Sequence, residues 1–170
     1  LSPGEYSITI KGIEIARNEL MMGHHLAMKT GDVDEEIPGV DTVEPAFGLP
    51  AIWIAEEDEE RAQFAGYTVV DLPTVLATHL TEVLKNHAFE FIGRQETQKL
   101  IDSHAESEPK VVEELIPTLL SLGVVQKVLQ NLLKELVSIR DLHTVLETLA
   151  DVSLITKEPD LLTEHVRQSL

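Results

Sequence analysis

The stretch of chain after Gly93 is the feature that most restricts how this protein can fold. Apolar residues recur there at intervals of three and four, which is the spacing of one helix face, and no strand-like alternation interrupts them. Aromatic residues make up only 4% of the chain while Leu, Val and Ile abound, so we expect an aliphatic core and no large all-β fold. About five helices are predicted, with Ser107 and Ser138 as caps, over residues 95–104, 109–122, 124–136, 139–150 and 161–170.

The first half of the chain carries short strand signals instead. Apolar and polar residues alternate on both sides of Lys11-Gly12, a pair typical of a tight turn, and an acidic segment ends at Gly66 as a helix does. The predicted elements are a hairpin or bulged strand over residues 6–16, an irregular loop over 31–45, a strand over 51–54, a helix over 56–65 and a strand over 67–70.

A further helix is predicted after the last of these strands. Asp71 or Thr74 would cap its start, and Gly93 would end it just after Phe91. Together with the stretch after Gly93, these elements assign the chain to the α+β class: small α/β subdomains in the N-terminal half, followed by an all-α helical subdomain.

The charge of the chain argues against nucleic acid as a partner. Thirty Asp and Glu against thirteen Lys and Arg give a formal net charge of −17, and such a field repels phosphate backbones. The predicted helices 124–136 and 138–150 have the outline of a DNA-binding helix-turn-helix. However, Arg140 is the only Lys or Arg of the second helix, and phosphate contacts normally require several cations. We therefore expect no binding of nucleic acid.

Catalytic and metal chemistry has little support in the sequence. The chain has no Cys and no phosphate-binding glycine motif, and the acidic run at residues 56–60 is typical of a solvated helix start. His79 and His87 lie two turns apart on a predicted helix, too far to share one metal ion without a third element between them. We expect no cofactor, no metal and no enzymatic activity; an uncharacterised metal-binding hydrolase domain stays as the alternative.

No apolar stretch in the sequence approaches the roughly 18–20 residues of a membrane-spanning helix. The chain begins at Leu1 without an initiator Met and enters a predicted strand almost at once. We therefore expect it to be cut from a longer protein, and what precedes Leu1 can include membrane spans.

The segment Glu44-Pro45-Ala46-Phe47-Gly48-Leu49-Pro50 is the most informative loop. Two prolines and a glycine frame Phe47, so its direction is set at low entropic cost. Phe47 can be an anchor that packs into the core or a hydrophobic contact already positioned for a partner, and the sequence pattern leaves both open.

Several segments together resemble one family, the cytoplasmic domains of the FlhA/InvA type III export-gate proteins of flagella and virulence systems. The matching segments occur in the same order as in the family, and together they cover nearly the whole chain. The segments that carry it are EPAFGLPAIWI at 44–54, AGYTVVD at 65–71, ATHLTEVLKNHA at 77–88, RQETQKLID at 94–102, VVEELIP at 111–117, LQNLLKELVSIRDL at 129–142 and TKEPDLLTEHVRQSL at 156–170.

The resemblance implies a division into subdomains and a place in the cell. It implies the end of a discontinuous first subdomain up to residue 20, an inserted α/β subdomain over 21–71, a return helix over 72–92 and a third, helical subdomain over 93–170. Such proteins join a multi-span membrane region to a cytoplasmic part that forms a nine-membered ring at the inner face of the bacterial inner membrane.

The resemblance also implies a partner site. Flagellar members bind export chaperones with their substrates in a shallow hydrophobic depression, which corresponds here to Phe47 and Thr78, with Glu44 at a neighbouring position where Asp is common. Other parts of the export apparatus, including its ATPase complex, are implied as further partners. Within this family, the sequences of the segments EPAFGLP and ATHLTEV resemble flagellar members more than members of virulence systems.

Basic residues are scarce, which makes each exposed one informative about assembly. Arg94, Arg140 and Arg167 are our candidates for pairing with acidic surfaces of a neighbouring subunit in such a ring. The alternative is that they form only local ion pairs on their own helix surfaces.

Overall fold

A computed structural model describes residues 1–170, the whole chain, and divides it into two compact units. We call Leu1–Leu84 the N-terminal unit and Lys85–Leu170 the C-terminal unit. Strands occur only in the first, and five of the seven helices lie wholly in the second, which confirms the α+β class. The finer division implied by the resemblance stays a prediction. None of the helices is both long and apolar enough to cross a membrane.

The predicted hairpin is present as strands β1 (Glu5–Ile10) and β2 (Ile13–Glu19). Lys11 and Gly12 both have positive φ, the conformation that a two-residue type I′ turn requires. Ile8 lies opposite Ala16 and Thr9 opposite Glu14, so Ile15 is the extra residue of a bulge. Of the two alternatives, the hairpin is therefore confirmed, and its second strand carries the bulge.

A four-stranded antiparallel sheet forms the rest of the strand structure, in the order β4-β5-β3-β6. Its strands are β3 (His24–Lys29), β4 (Val40–Val43), β5 (Pro50–Ala55) and β6 (Tyr67–Val70). After a short 3₁₀ turn, helix α1 (Glu59–Ala65) connects β5 to β6 and ends at Gly66, whose φ of 107° allows the left-handed cap. The predicted strand-helix-strand order is confirmed, although β3 lies between the two strands.

Both faces of this sheet are covered. Ala27, Ile54 and Tyr67 pack on one side against Ala62 and Ala65 of α1. Leu26 and Trp53 pack on the other side against Val75 of helix α2 (Leu72–Asn86). A strand that is buried on both faces shows an unbroken apolar run rather than alternation, which explains the AIWI sequence of β5.

Two strands of the sheet were not predicted. The central strand β3 has the sequence HHLAMK, and because Leu26 and Ala27 are buried on opposite faces it shows no period of two. The edge strand β4 lies inside the segment 31–45, so the prediction of a loop throughout that segment was wrong. Just before β4, a Cβ at Gly39 would lie 2.2 Å from the Trp53 carbonyl oxygen, so only glycine fits there.

The helix after β6 is shorter than predicted. Asp71 caps its start, because its Oδ1 accepts a hydrogen bond from the Thr74 amide at 3.0 Å. The helix ends at Asn86, and a separate 3₁₀ turn, Ala88–Phe91, follows. His87 Nδ1 lies 3.1 Å from Glu90 Oε2, a contact that spans the start of this turn.

Five helices of the C-terminal unit surround one aliphatic core, as predicted. They are α3 (Arg94–Ser107), α4 (Pro109–Glu114), α5 (Leu122–Lys134), α6 (Leu142–Val152) and α7 (Pro159–Ser169). The fully buried core side chains include Ile101, Leu115, Leu129, Leu132, Leu146, Leu149 and Leu162. Helices of 6 to 14 residues such as these depend on burying one apolar face against their neighbours.

The predicted continuous helix 109–122 was wrong. Ile116 has the extended angles φ −120° and ψ 124°, and α5 starts only at Leu122. The cause is Pro117, since the residue before a proline is disfavoured in the helical region.

The predicted serine caps were also wrong. Ser107 is the last residue of α3, and Ser138 lies outside α6. The cap of α6 is Asp141, whose Oδ1 accepts from the Thr144 amide at 3.1 Å, and the Thr144 hydroxyl donates to Asp141 Oδ2. These hydrogen bonds lower the pKa of Asp141 below its ordinary value, and the one from the Thr144 hydroxyl has the larger effect.

Candidate partner-binding site

The loop between β4 and β5 is held in one conformation by Glu44. This residue is only 4% exposed, and its carboxylate accepts hydrogen bonds from the amides of Ala46 and Phe47, both at 2.8 Å. The backbone of Glu44 also pairs with Gly48 at 2.9 Å and with Leu49 at 2.8 Å. A carboxylate that receives charge-assisted bonds from two successive amides is a strong local clamp.

Phe47, at the tip of this loop, points into solvent. The residue is 60% exposed although its own amide is bound to Glu44, and the neighbouring Leu49 is 45% exposed. Gly48 has a φ of 70°, which lets the chain turn back toward β5. The alternative that Phe47 is an anchor in the core is therefore excluded, and its role in binding a partner stays a prediction.

A partly buried polar cluster lies near the loop, formed by Tyr6 of β1, Asn18 of β2 and His79 of α2. The Tyr6 hydroxyl lies 2.6 Å from His79 Nδ1, and the Asn18 amide donates to the Tyr6 oxygen at 3.4 Å. Because Asn18 is the donor in that contact, the Tyr6 hydroxyl hydrogen is available for Nδ1 of a neutral imidazole. Burial lowers the pKa of His79 and raises the pKa of Tyr6.

The charge of Glu44 acts electrostatically on two residues of this cluster, Tyr6 and His79. It raises the pKa of Tyr6 as a smaller contribution beside burial, and it partly offsets the lowering of the His79 pKa. Glu44 is thus close enough to act on a residue of α2 directly after Thr78. Tyr6 and Asn18 were not identified from the sequence as members of a polar cluster. The only sequence signal for the cluster was His79, a histidine among the apolar positions of α2.

The cluster leads to a prediction about pH. We expect the free energy of unfolding to decrease as the pH falls below about 6.5, the ordinary pKa of histidine, because the unfolded chain then binds a proton that folded His79 resists. The contribution of His79 to the free energy of unfolding is fully present above that pH. It is lost as the pH falls from 6.5 through the lower pKa that His79 has in the folded protein. Urea unfolding between about pH 7 and pH 5 should show a flatter dependence for His79→Gln. His165→Gln, at an exposed position, should keep the parent slope, and equal slopes for the two variants would contradict the assignment.

Thr78 is half-buried on α2. With about 100° between successive helix residues, it borders the buried face formed by Val75 and His79. The exposed leucines Leu76, Leu80 and Leu84 form a stripe that starts at the other border of that face and continues to the opposite side of the helix. Thr78 is therefore separated from this leucine stripe, although it lies between two of its members in the sequence.

The three arginines proposed for subunit contacts are all exposed in the C-terminal unit. Arg167 pairs locally, with Glu135 at 3.1 Å and with Glu164 one turn earlier on α7. Arg94 extends across the start of α5, since its Nη2 would lie 3.3 Å from a Cβ at Gly123. Local pairing accounts for Arg167, while a role of any of the three between subunits stays a prediction.

The spacing of His79 and His87 in the sequence argues against a shared metal ion. His79 contacts Tyr6, and His87 pairs with Glu90, so each imidazole has its own protein partner. A group of three potential ligands does occur elsewhere, at His104, Glu108 and His143 of the C-terminal unit.

The N-terminal unit thus combines a sheet covered on both faces with an exposed aromatic residue, Phe47, whose amide is bound to Glu44. All residues 1–170 match the FHIPEP family, and the chain belongs to that family. It is 55% identical over its full length to the protein named flagellar biosynthesis protein FlhA of Bacillus subtilis (strain 168), of which it spans 25%.

Solved structures agree with this fold. The chain is similar to a protein in the structure of the Chlamydia pneumoniae CdsV and CdsO complex, with a TM-score of 0.86 at 28% identity over 98% of this chain and 51% of that one. It is also similar to nonameric EPEC SctV-C, with a TM-score of 0.74 at 27% identity over 98% of this chain and 51% of that one. The chain thus spans about half of each solved chain.

Proposed function

We propose that this chain is part of the cytoplasmic docking platform of a flagellar type III protein export gate, at the inner face of the bacterial inner membrane. It has no enzymatic role and binds export chaperones loaded with their substrates. The observation that carries the proposal is the loop at Phe47, where a 60% exposed aromatic is held by a buried carboxylate. Aromatic side chains in fixed positions are frequent hot spots of protein interfaces.

The comparisons support the flagellar system over a virulence system. Identity to the flagellar relative is 55%, against 28% to the chain of the CdsV and CdsO complex. The proposed site consists of Phe47, Thr78 and Glu44. Phe47 supplies the apolar contact, Thr78 lines the depression from α2, and Glu44 holds the loop. The CdsV and CdsO complex supports a wider set of partners, in which we include the export ATPase complex.

A binding titration with flagellar chaperones, alone and with cargo, tests this function. We expect saturable binding that Thr78→Met weakens at least about tenfold, because the longer side chain would crowd the depression. Thr68→Met, at an exposed position of β6, serves as the matched control and should bind like the parent. Equal affinities for the two variants would exclude Thr78 from the site, and no binding of any loaded chaperone would contradict the proposed function.

We also propose that the full-length protein forms a nine-membered ring, as the nonameric EPEC SctV-C supports. Nine chains of charge −17 would bring together about 150 negative charges, screened over only ~8 Å at physiological salt. Membrane tethering would raise the local subunit concentration and offset this repulsion.

The repulsion predicts the behaviour of the isolated chain. At micromolar concentration in dilute salt, light scattering should find a monomer of 18.9 kDa. Any self-association should increase as salt is added, because screening weakens the repulsion between like charges. A stable dimer or ring at low salt would show that specific contacts exceed this repulsion.

A further inference from the structure

His104, Glu108 and His143 bring three potential metal ligands together in the C-terminal unit. One ring nitrogen of each histidine and one carboxylate oxygen all lie within 4.8 Å of one another. His143 Nδ1 and Glu108 Oε2 are already 2.8 Å apart, and the two imidazole rings lie 6.1 Å apart between centroids.

The backbone holds two of these residues side by side. His104 is in the last turn of α3, and Glu108 follows that helix directly, with its amide bonded to the His104 carbonyl at 2.9 Å. Residues four apart on a helical turn present their side chains to the same side. His143 is the second residue of α6, so an ion bound by all three would join the end of α3 to the start of α6.

An unpaired nitrogen distinguishes this group from a simple surface ion pair. His104 Nε2 is shielded from solvent and has no hydrogen-bond partner. Buried polar atoms are almost always paired, and the contact between His143 and Glu108 leaves this nitrogen unexplained. His143 and Glu108 are both exposed, so the group is accessible to an ion from solvent.

We propose that His104, Glu108 and His143 bind one divalent transition-metal ion of the Zn²⁺ type. Two imidazole nitrogens and one carboxylate oxygen are ligands that Zn²⁺ accepts, and three protein ligands leave a fourth position for water. Mg²⁺ and Ca²⁺ prefer ligand sets made only of oxygen. Ligand atoms in a tetrahedral zinc site lie about 3.4 Å apart. Atoms of the group that are as much as 4.8 Å apart would therefore have to approach, whereas His143 Nδ1 and Glu108 Oε2, now 2.8 Å apart, would have to separate slightly.

Calorimetric titration of the 170-residue chain with Zn²⁺, after treatment with a chelator, tests the site. We expect saturable binding and a higher melting temperature in the presence of Zn²⁺, with no comparable effect of Mg²⁺. Residues that only orient a metal ligand contribute about 10–100-fold to affinity, so loss of a ligand in His143→Ala should weaken binding by about 100-fold or more. The matched control is His165→Ala, an exposed histidine outside the group, which should bind like the parent.

Glu108→Gln provides a second, independent variant, because it keeps the size of the side chain and removes the charge. It should also weaken Zn²⁺ binding, with an unchanged circular dichroism spectrum. Three results would each overturn the proposal: no saturable Zn²⁺ binding by the parent, unchanged affinity in His143→Ala and Glu108→Gln, or equal binding of Mg²⁺. Unchanged affinity in both variants would place the ion elsewhere.

Discussion

Replacing Phe47 by alanine is expected to weaken the binding of loaded flagellar chaperones by about 2 kcal/mol or more, roughly 30-fold, and to leave the melting temperature unchanged. The side chain is 60% exposed, so its removal takes little packing from the folded protein. The loop itself should persist, because its conformation depends on hydrogen bonds from Glu44 to backbone amides, which the variant keeps.

Phe64→Ala is the matched control for this experiment. Phe64 lies on α1 in the same unit and is 92% exposed, so it tests whether any exposed aromatic contributes to binding. The control should bind loaded chaperones like the parent. A marked fall in melting temperature for Phe47→Ala, with normal affinity of the protein that remains folded, would contradict the assignment of Phe47 to a docking surface.

Leu146→Ala should lower the free energy of unfolding of the C-terminal unit by about 2–5 kcal/mol. Leu146 is 0% exposed in the middle of α6 and belongs to the same core cluster as Leu129, Leu132 and Leu149. Truncation removes buried methyl groups and leaves a cavity, since helices that already pack on several neighbours can relax only partly.

Urea unfolding followed by the helical circular dichroism signal measures this loss. Leu161→Ala makes the same chemical change on α7 at a position that is 53% exposed, and it should cost at most about 1 kcal/mol. Equal destabilisation of the two variants would contradict the role of core packing, and helix propensity could not explain it, because Ala is a better helix former than Leu.

The helices of the C-terminal unit could be predicted because each has one buried face, which leaves a local period in the sequence. The hairpin could also be predicted, because Lys11-Gly12 adopts a turn that only a few residue pairs tolerate. The break at Ile116 had an equally local signal in Pro117, which the periodic pattern concealed.

The candidate sites were only partly predictable. The sequence indicated a stiff loop around Phe47, but exposure depends on which distant segments cover a side chain, and this has no local signature. The polar cluster of Tyr6 and His79 joins residues 73 positions apart. The group of His104, Glu108 and His143 likewise forms only when the end of α3 meets the start of α6.

The sequence alone determined the elements whose cause lies within a few residues: the helical periods after Gly93, the turn at Lys11-Gly12 and the helix end at Gly66. Only the tertiary structure decided the place of β3, whose neighbours bury it on both faces and so remove the alternation that marks a strand. It also decided that Phe47 is exposed and that Glu44 is buried near His79. Burial and charge proximity are set by long-range packing, to which every segment contributes, whereas helix and turn signals arise from neighbouring residues.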